Sequence, residues 1–265
     1  ALSALSGALI VFYSGSYRFI FLFSVIPYIA DMINVAGYPG SLEGETQKLN
    51  WQKMRDNFKR VFNDLLRALK TPKVIKVIGS LSIYSGYYKA IKDFLQPLIA
   101  IWALTLPFLT EYSDEQRSSV FVGIIFLLVY ILSSFASRYS GKFSDKFTKL
   151  TSPLNITLFF GLLGGALSGL SFILNLWILS MLLFVIVYMI ENVRKPVGVA
   201  FLGSNVKKNV VASVLSVDSQ VKSLAAAILA PLFGIFADLY GLGWGILIVS
   251  TILILLSPLL MLNNK

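Results

Sequence analysis

The segment Ser118–Ala136 reads SSVFVGIIFLLVYILSSFA and carries no charge, whereas the segment after it, Ser137–Ser152, reads SRYSGKFSDKFTKLTS and is rich in lysine and arginine. About 20 apolar residues are enough for an α-helix to cross the hydrocarbon core of a bilayer. Lysine and arginine collect in the cytoplasmic connections between such helices. This stretch therefore predicts a membrane-spanning helix that reaches the cytoplasm near residue 137.

Segments of the same kind recur from one end of the chain to the other. They predict seven full membrane-spanning helices and one partial helix. Their bounds are 1–13 (partial), 17–35, 74–106, 118–136, 153–172, 176–192, 210–236 and 243–262. The predicted fold class is an all-α, polytopic membrane helix bundle. We expect the chain to begin inside a helix, because no charged segment or cleavage site of a signal peptide precedes the first apolar run.

The composition agrees with that class and excludes others. Hydrophobic residues make up 56% of the chain and charged residues 14%, whereas soluble domains usually carry about 25% charged residues. The net charge of +10 does not indicate nucleic-acid binding, because the basic residues cluster in short connections. The chain has no cysteine and no histidine, which excludes disulfides, thiolate or imidazole metal sites and histidine-based catalysis. We predict neither an enzyme nor a bound cofactor or metal.

The basic residues also predict the orientation of the helices. Connections 43–73, 137–152 and 194–208 are rich in lysine and arginine, while connections 13–16, 110–117, 173–175 and 238–242 are acidic or neutral. The first set and the C-terminus should face the cytoplasm. We expect the membrane to be the bacterial cytoplasmic (inner) membrane.

The long connection 43–73 contains a helix of its own. Apolar residues recur at steps of three and four from Met54 to Leu69, and basic residues fill the opposite face. This pattern is typical of an amphipathic helix. We expect the helix to lie on the membrane surface, and the alternative is a helix that binds a partner protein.

A short motif occurs twice, three predicted helices apart. Residues 141–147 read GKFSDKF and residues 234–240 read GIFADLY. One copy falls on the predicted cytoplasmic side and the other on the outer side, as an inverted three-plus-three helix repeat requires. Glycine would let two helices approach closely, and the aspartate could cap a neighbouring helix; the simpler alternative is a turn.

These motifs resemble the major facilitator superfamily of transporters. The run from Gly141 through Asp145 to Lys146 resembles the family's cytoplasmic signature after its eighth helix. The stretch 212–220, together with 231–234 and Asp238, resembles its eleventh helix, and residues 92–97 resemble its seventh. The family's usual basic residue before the eleventh-helix stretch is Val211 in this chain, and residues 147 and 148 depart from the end of the signature.

The resemblance implies how the chain is divided. Residues 1–42 would end an N-terminal helix bundle, residues 43–73 would be the central cytoplasmic linker, and residues 74–265 would form a C-terminal six-helix bundle. The chain would then run from the end of the family's fifth helix through its twelfth, with the N-terminal part missing. In this reading, the signature-loop and gate residues are Gly141, Asp145, Lys146, Gly234 and Asp238.

A polar stripe on the helix that starts at Val74 is the strongest candidate for a binding site. Its members recur at steps of three and four, which places them on one helical face: Ser82, Ser85, Lys89, Lys92, Asp93 and Gln96. Charges inside a membrane span are costly and therefore indicate function. Tyr84 and Tyr88 flank the stripe and could stack on an organic substrate. The alternative is an internal ion pair that only ties helices together.

Other polar residues in the predicted spans carry weaker signals. Asp218 and Lys222 lie one turn apart on the eleventh-helix candidate and can pair with each other. Glu191 falls near the predicted inner end of its helix, where a structural role is expected. The glycines Gly161, Gly165 and Gly169 are spaced as in a helix-packing seam.

Together these features predict a secondary active transporter that moves a small solute by alternating access, with proton or sodium as a possible coupling ion. Its partners would be a small-molecule substrate and the lipid bilayer, and not nucleic acid. The alternative function is a membrane protein that does not transport and serves as an assembly or signalling partner through its basic helix. The substrate class stays open, although two lysines on the stripe favour an anion.

Overall fold

The computed structural model describes residues 2–39 and 51–262 of the chain. Within them, all regular secondary structure is helical: α1 (Leu2–Ser14), α2 (Arg18–Ala36), α3 (Trp51–Lys70), α4 (Pro72–Ile91), α5 (Leu95–Thr105), α6 (Asp114–Ser144), α7 (Thr151–Ile173), α8 (Trp177–Asn205), α9 (Val211–Tyr240) and α10 (Leu242–Leu260). Residues 43–50 of the predicted linker and the C-terminal Lys265 lie outside the described residues.

Six of these helices are long and apolar enough to cross a membrane: α2, α6, α7, α8, α9 and α10. The all-α prediction is therefore confirmed for the described residues, and the six long apolar helices are compatible with a membrane helix bundle. The predicted span 74–106 consists of α4 and α5, joined by a single 3₁₀ turn at Lys92–Phe94. The polar residues of α4 keep it out of the set of strongly apolar helices.

Helices α4 to α10 pack into one bundle. Helix α4 lies against α9 and α8, α7 lies against α8 and α10, and α6 lies against α8 and α5. The core where they meet contains large side chains that are almost completely buried, among them Tyr87, Leu158, Phe184 and Phe233. Because lipid is as apolar as these side chains, close packing rather than the hydrophobic effect must hold the helices together.

The glycines of α7 confirm the predicted packing seam. Gly161 lies against the ring of Tyr84, and Gly165 lies against the hydroxyl group of Tyr87. At Gly169 the backbone of α10 comes so close that a Cβ atom would stand 2.7 Å from a backbone oxygen. A larger side chain at these positions would push helices apart, so glycine sets the approach of α7 to α4 and α10.

The first two helices differ in how they contact the rest of the protein. Helix α1 packs on α6, where a Cβ atom on Gly123 would lie 2.3 Å from the Cβ atom of Ala8. Helix α2 contains no buried residue along its whole length. Its apolar surface is thus open to a surrounding lipid phase or to further protein.

Two predicted connections are wrong in their bounds. Helix α6 continues to Ser144, and α8 continues through Pro196 to Asn205. The predicted connection 137–152 therefore shrinks to residues 145–150, and 194–208 shrinks to a short turn after Asn205. Charged residues beside an apolar run predict a helix end, but Arg194 lies within α8 and is buried by neighbouring helices.

The amphipathic helix of the linker is confirmed as α3. It contacts α4, α9 and the turn before α9. Its Leu65 side chain packs against a buried cluster that includes Val74 and Val214. At least part of its apolar face therefore packs on protein.

Candidate functional site

The polar stripe of α4 runs from the buried interior to the surface of the bundle. Ser82 and Ser85 are buried, whereas Lys89, Asp93 and Gln96 are exposed. The stripe continues across the 3₁₀ turn at residues 92–94 into α5. The two ends of the stripe therefore differ strongly in their exposure to solvent.

At the exposed end, Lys92 and Asp93 pair with each other. The Lys92 Nζ atom lies 2.6 Å from the Asp93 Oδ1 atom, and the two side chains are 40% and 75% exposed. An ion pair of such neighbours on a single element cannot tie helices together, and exposed pairs add little stability. Lys89 instead reaches across to α9 and donates a hydrogen bond to the Ser223 hydroxyl (3.2 Å).

At the buried end, α4 meets α9 through Asp218. Ser82 Oγ donates to Asp218 Oδ1 (3.2 Å), and the Lys222 Nζ atom lies 2.5 Å from Asp218 Oδ2. Both charged side chains are largely enclosed, with 3% of Asp218 and 15% of Lys222 exposed. The pairing of Asp218 with Lys222 that their spacing predicts is therefore present and buried.

A second pair of charged residues lies on α8, half-way along the helix. Glu191 accepts a hydrogen bond from Ser85 Oγ at its Oε1 atom (2.8 Å). Its other carboxylate oxygen, Oε2, is buried and has no hydrogen-bond partner among the described residues. The expectation that Glu191 lies near a helix end is wrong, because α8 extends well past Asn192 to Asn205.

Arg194 is the largest fully buried side chain of the described residues. Its Nη1 atom donates to the carbonyl of Leu154 and to the hydroxyl of Thr157 (3.1 Å), both on α7. Its Nη2 atom donates to the carbonyl and hydroxyl oxygens of Ser80 on α4 (3.1 and 2.9 Å). Arg194 thus joins three helices by hydrogen bonds.

The sequence predictions missed Glu191 and Arg194 as members of the polar core. The available signal was two opposite charges three residues apart, directly after an apolar run in the same helix. Sequence patterns could not show that the helix continues past them, or that hydroxyl groups of α4 and α7 lie within reach. Together with Ser82, Ser85, Asp218 and Lys222 they form what we call the charged core.

The two predicted tyrosines have different surroundings. Tyr84 is completely buried, with its ring against Gly161 and the Arg194 guanidinium 5.2 Å from the ring centre. This position favours a packing role over the predicted stacking on a substrate. Tyr88 is only partly buried and meets the ring of Tyr188 edge-on at 5.1 Å.

A cavity with a volume of about 490 Å³ lies between α1, α2, α5 and α6. Gln96 lines it, together with hydroxyl groups of Ser119 and Tyr130. Among the predicted site residues it is Gln96 that reaches this cavity. The cavity is large enough for a small organic molecule.

The repeated motif does not make the contacts predicted for it. Among the described residues, no atom of a neighbouring helix lies within 4 Å of a Cβ atom placed on Gly141 or on Gly234. The Asp145 side chain caps no helix, since α7 begins at Thr151 without a side-chain cap, and Asp238 lies inside α9. The charged residues Asp145, Lys146 and Asp238 are exposed, whereas Ser144 of the first copy is buried and Ala237 of the second copy lies close to Gly245 of α10.

Helix α3 is fixed to the turn before α9 by Asp64. The Asp64 carboxylate accepts hydrogen bonds from Asn209 Nδ2 (3.0 Å) and Lys207 Nζ (3.4 Å). The hydrogen bond from Asn209, aided by the positive charge of Lys207, lowers the pKa of the Asp64 carboxyl below its usual value. This contact connects the linker helix directly to the turn between α8 and α9.

Comparison of the chain with protein-family models and with curated proteins finds no match. The similarity to the major facilitator superfamily therefore rests on the quoted motifs.

Proposed function

We propose that this protein is a secondary active transporter that moves a small solute across a membrane by alternating access. The observation that carries the proposal is the charged core, in which Asp218, Lys222, Glu191 and Arg194 are enclosed within a bundle of apolar helices. Ionised side chains inside a membrane protein are costly and usually belong to a substrate or ion pathway.

The way in which the helices pair supports the proposal. Inverted repeats relate the first three helices of a six-helix bundle to the last three. In such a repeat α4 would correspond to α8, α6 to α9 and α7 to α10. The contact of α4 with α9 then corresponds to the contact of α8 with α6, and the contact of α7 with α10 corresponds to itself. These contacts are all extensive and agree with such a repeat, although the extensive contact of α7 with α8 has only a slight counterpart between α10 and α4.

The exposed end of the polar stripe supports a binding role. Lys89 and Lys92 are the two basic residues of the stripe, and Lys92 already shares its charge with Asp93. Lys89 has a neutral hydroxyl partner in Ser223, so its positive charge is free of an acidic partner among the described residues. An anionic group on the solute would complement that charge.

The proposal can be tested with the full-length protein in liposomes. We would impose a proton gradient or a sodium gradient and record currents on addition of organic anions, organic cations and neutral sugars. The expected result is a current with at least one of these solutes that Asp218→Asn abolishes. Asp114→Asn is the matched control, because Asp114 is exposed at the start of α6, and it should leave the current unchanged.

Two results would contradict the proposal. One is the absence of both a current and uptake of radiolabelled solute under either gradient, although the protein is inserted and folded; uptake is needed because cotransport of a monovalent anion with one proton carries no current. The other is a current that survives Asp218→Asn at full size. The first result would favour the alternative of an assembly or signalling partner.

A further inference from the structure

Glu191 is a buried carboxylate with one oxygen left without a partner. The residue is 8% exposed. Ser85 donates to Oε1, whereas Oε2 has no hydrogen-bond partner among the described residues. A buried carboxylate normally has both oxygens hydrogen-bonded or paired with a cation, so this arrangement needs an explanation.

The nearby cations make most of their contacts elsewhere, although the buried Nε atom of Arg194 has no hydrogen-bond partner among the described residues. Lys222 lies 2.5 Å from Asp218, and both Nη atoms of Arg194 donate to oxygens of α4 and α7. Within the described part of the chain, no lysine or arginine forms a salt bridge with Glu191. The negative charge of an ionised Glu191 would therefore be balanced only at longer range.

The groups that face Glu191 come from three helices. They are Tyr84 and Tyr88 of α4, Lys222 of α9 with its partner Asp218, and Arg194 and Lys195 of α8 itself. Helix α6 adds Tyr130, which neighbours Tyr88, and the sequences of α5 and α7 contain no acidic or basic residue. Both positive and negative groups are thus close enough to respond to a change in the charge of Glu191.

We infer that Glu191 binds and releases a proton at Oε2 and is the coupling group of the transport cycle. A proton on Oε2 removes the unbalanced charge at no cost to the hydrogen bond from Ser85. The other two candidate carboxylates fit this role less well, because Asp218 is paired with Lys222 and Asp93 is exposed and paired with Lys92. This inference rests on the proposed transport function.

The proton balance of the step is simple. A proton from water on one side of the membrane adds to the Glu191 carboxylate and gives a neutral carboxylic acid, and its release to the other side restores the carboxylate. When Glu191 is ionised, it competes with Asp218 for the charge of Lys222. Protonation of Glu191 would therefore remove its attraction for Lys222, which weakens the electrostatic interaction between α8 and α9.

Infrared difference spectroscopy tests the inference without any assay of transport. The full-length protein in liposomes is titrated over about pH 6 to 9, where exposed glutamates stay ionised and do not contribute a band of their own. Carbon-13 labelling of glutamate side chains then identifies the carbonyl stretch of protonated glutamate. We expect a label-sensitive band that titrates in the wild type and is lost completely in Glu191→Gln.

Two further variants keep the test decisive. Glu111→Gln is the matched control at an exposed glutamate and should leave the band unchanged. Ser85→Ala keeps the Glu191 carboxyl group but removes its hydrogen-bond donor, so the band should persist at a shifted frequency even if Glu191→Gln fails to fold. A band that persists in Glu191→Gln, or whose frequency Ser85→Ala does not change, would overturn the assignment.

The two proposals fail in different ways. Solute-driven currents without a titrating glutamate band would refute the role of Glu191 and leave transport standing. A titrating band that disappears in Glu191→Gln, with no solute-driven current, would support the proton site and refute transport.

Discussion

Removing Lys222 should destabilise the folded protein by an amount that depends on pH. In Lys222→Met, the Asp218 carboxylate stays buried and keeps Ser82 as a donor, but it loses the ammonium group 2.5 Å away. Breaking a buried ion pair by removing one partner costs about 3–5 kcal/mol. The carboxyl group can limit that cost by taking up a proton.

Proton uptake sets an upper limit on the free-energy cost of the substitution. The size of that limit follows from the ordinary pKa of aspartic acid, near 3.9. Protonating such a group at pH 7 costs about 4 kcal/mol, and the cost falls by about 1.4 kcal/mol for each unit by which the pH is lowered. In the variant, the folded state binds a proton that the unfolded state releases at neutral pH. Lowering the pH from 7 to about 5 should therefore recover most of the lost free energy of unfolding.

The measurement is reversible unfolding in mixed detergent micelles at several pH values. Lys92→Met is the matched control, since the Lys92–Asp93 pair is exposed, and its cost should stay below about 1 kcal/mol at every pH. The double variant Asp218→Leu/Lys222→Met removes both charges and should lie close to the wild type. The reasoning is refuted if Lys222→Met costs no more than Lys92→Met, or if its cost does not change with pH.

Two further predictions follow from the packing and from the linker contact. Gly165→Ala would place a Cβ atom 1.8 Å from the Tyr87 hydroxyl oxygen and should lower the free energy of unfolding by about 1–3 kcal/mol. The matched variant Gly234→Ala has no atom within 4 Å of its new Cβ among the described residues and should be neutral or stabilising. Unfolding in micelles measures both effects. Because the pKa of Asp64 is lowered in the folded protein, its contact with Asn209 is fully present above the ordinary pKa of aspartate and is lost as the pH falls through the lowered value. Proteolysis within α3 should then accelerate at acid pH in the wild type, and in Asp64→Ala cleavage should be fast at every pH. A wild-type cleavage rate that does not depend on pH would contradict this reasoning.

The sequence by itself determined the class of the protein and the identity of its helices. Segments such as 118–136 are apolar over the length of a bilayer, and a helix satisfies their backbone hydrogen bonds within the segment itself. The periodicity of residues 54–69 likewise predicted α3. These features are local, because composition and spacing along the chain are enough to establish them.

The ends of the long helices and the charged core were decided by the tertiary structure. The sequence predicts a span that ends at residue 192, before Arg194, because a charged residue beside an apolar run usually lies in contact with water. Only the packed bundle supplies Ser80 and Thr157 as partners for that guanidinium and Ser85 as a donor to Glu191. These partners are far away along the chain, and whether a buried charge is tolerated depends on them rather than on its neighbours in sequence.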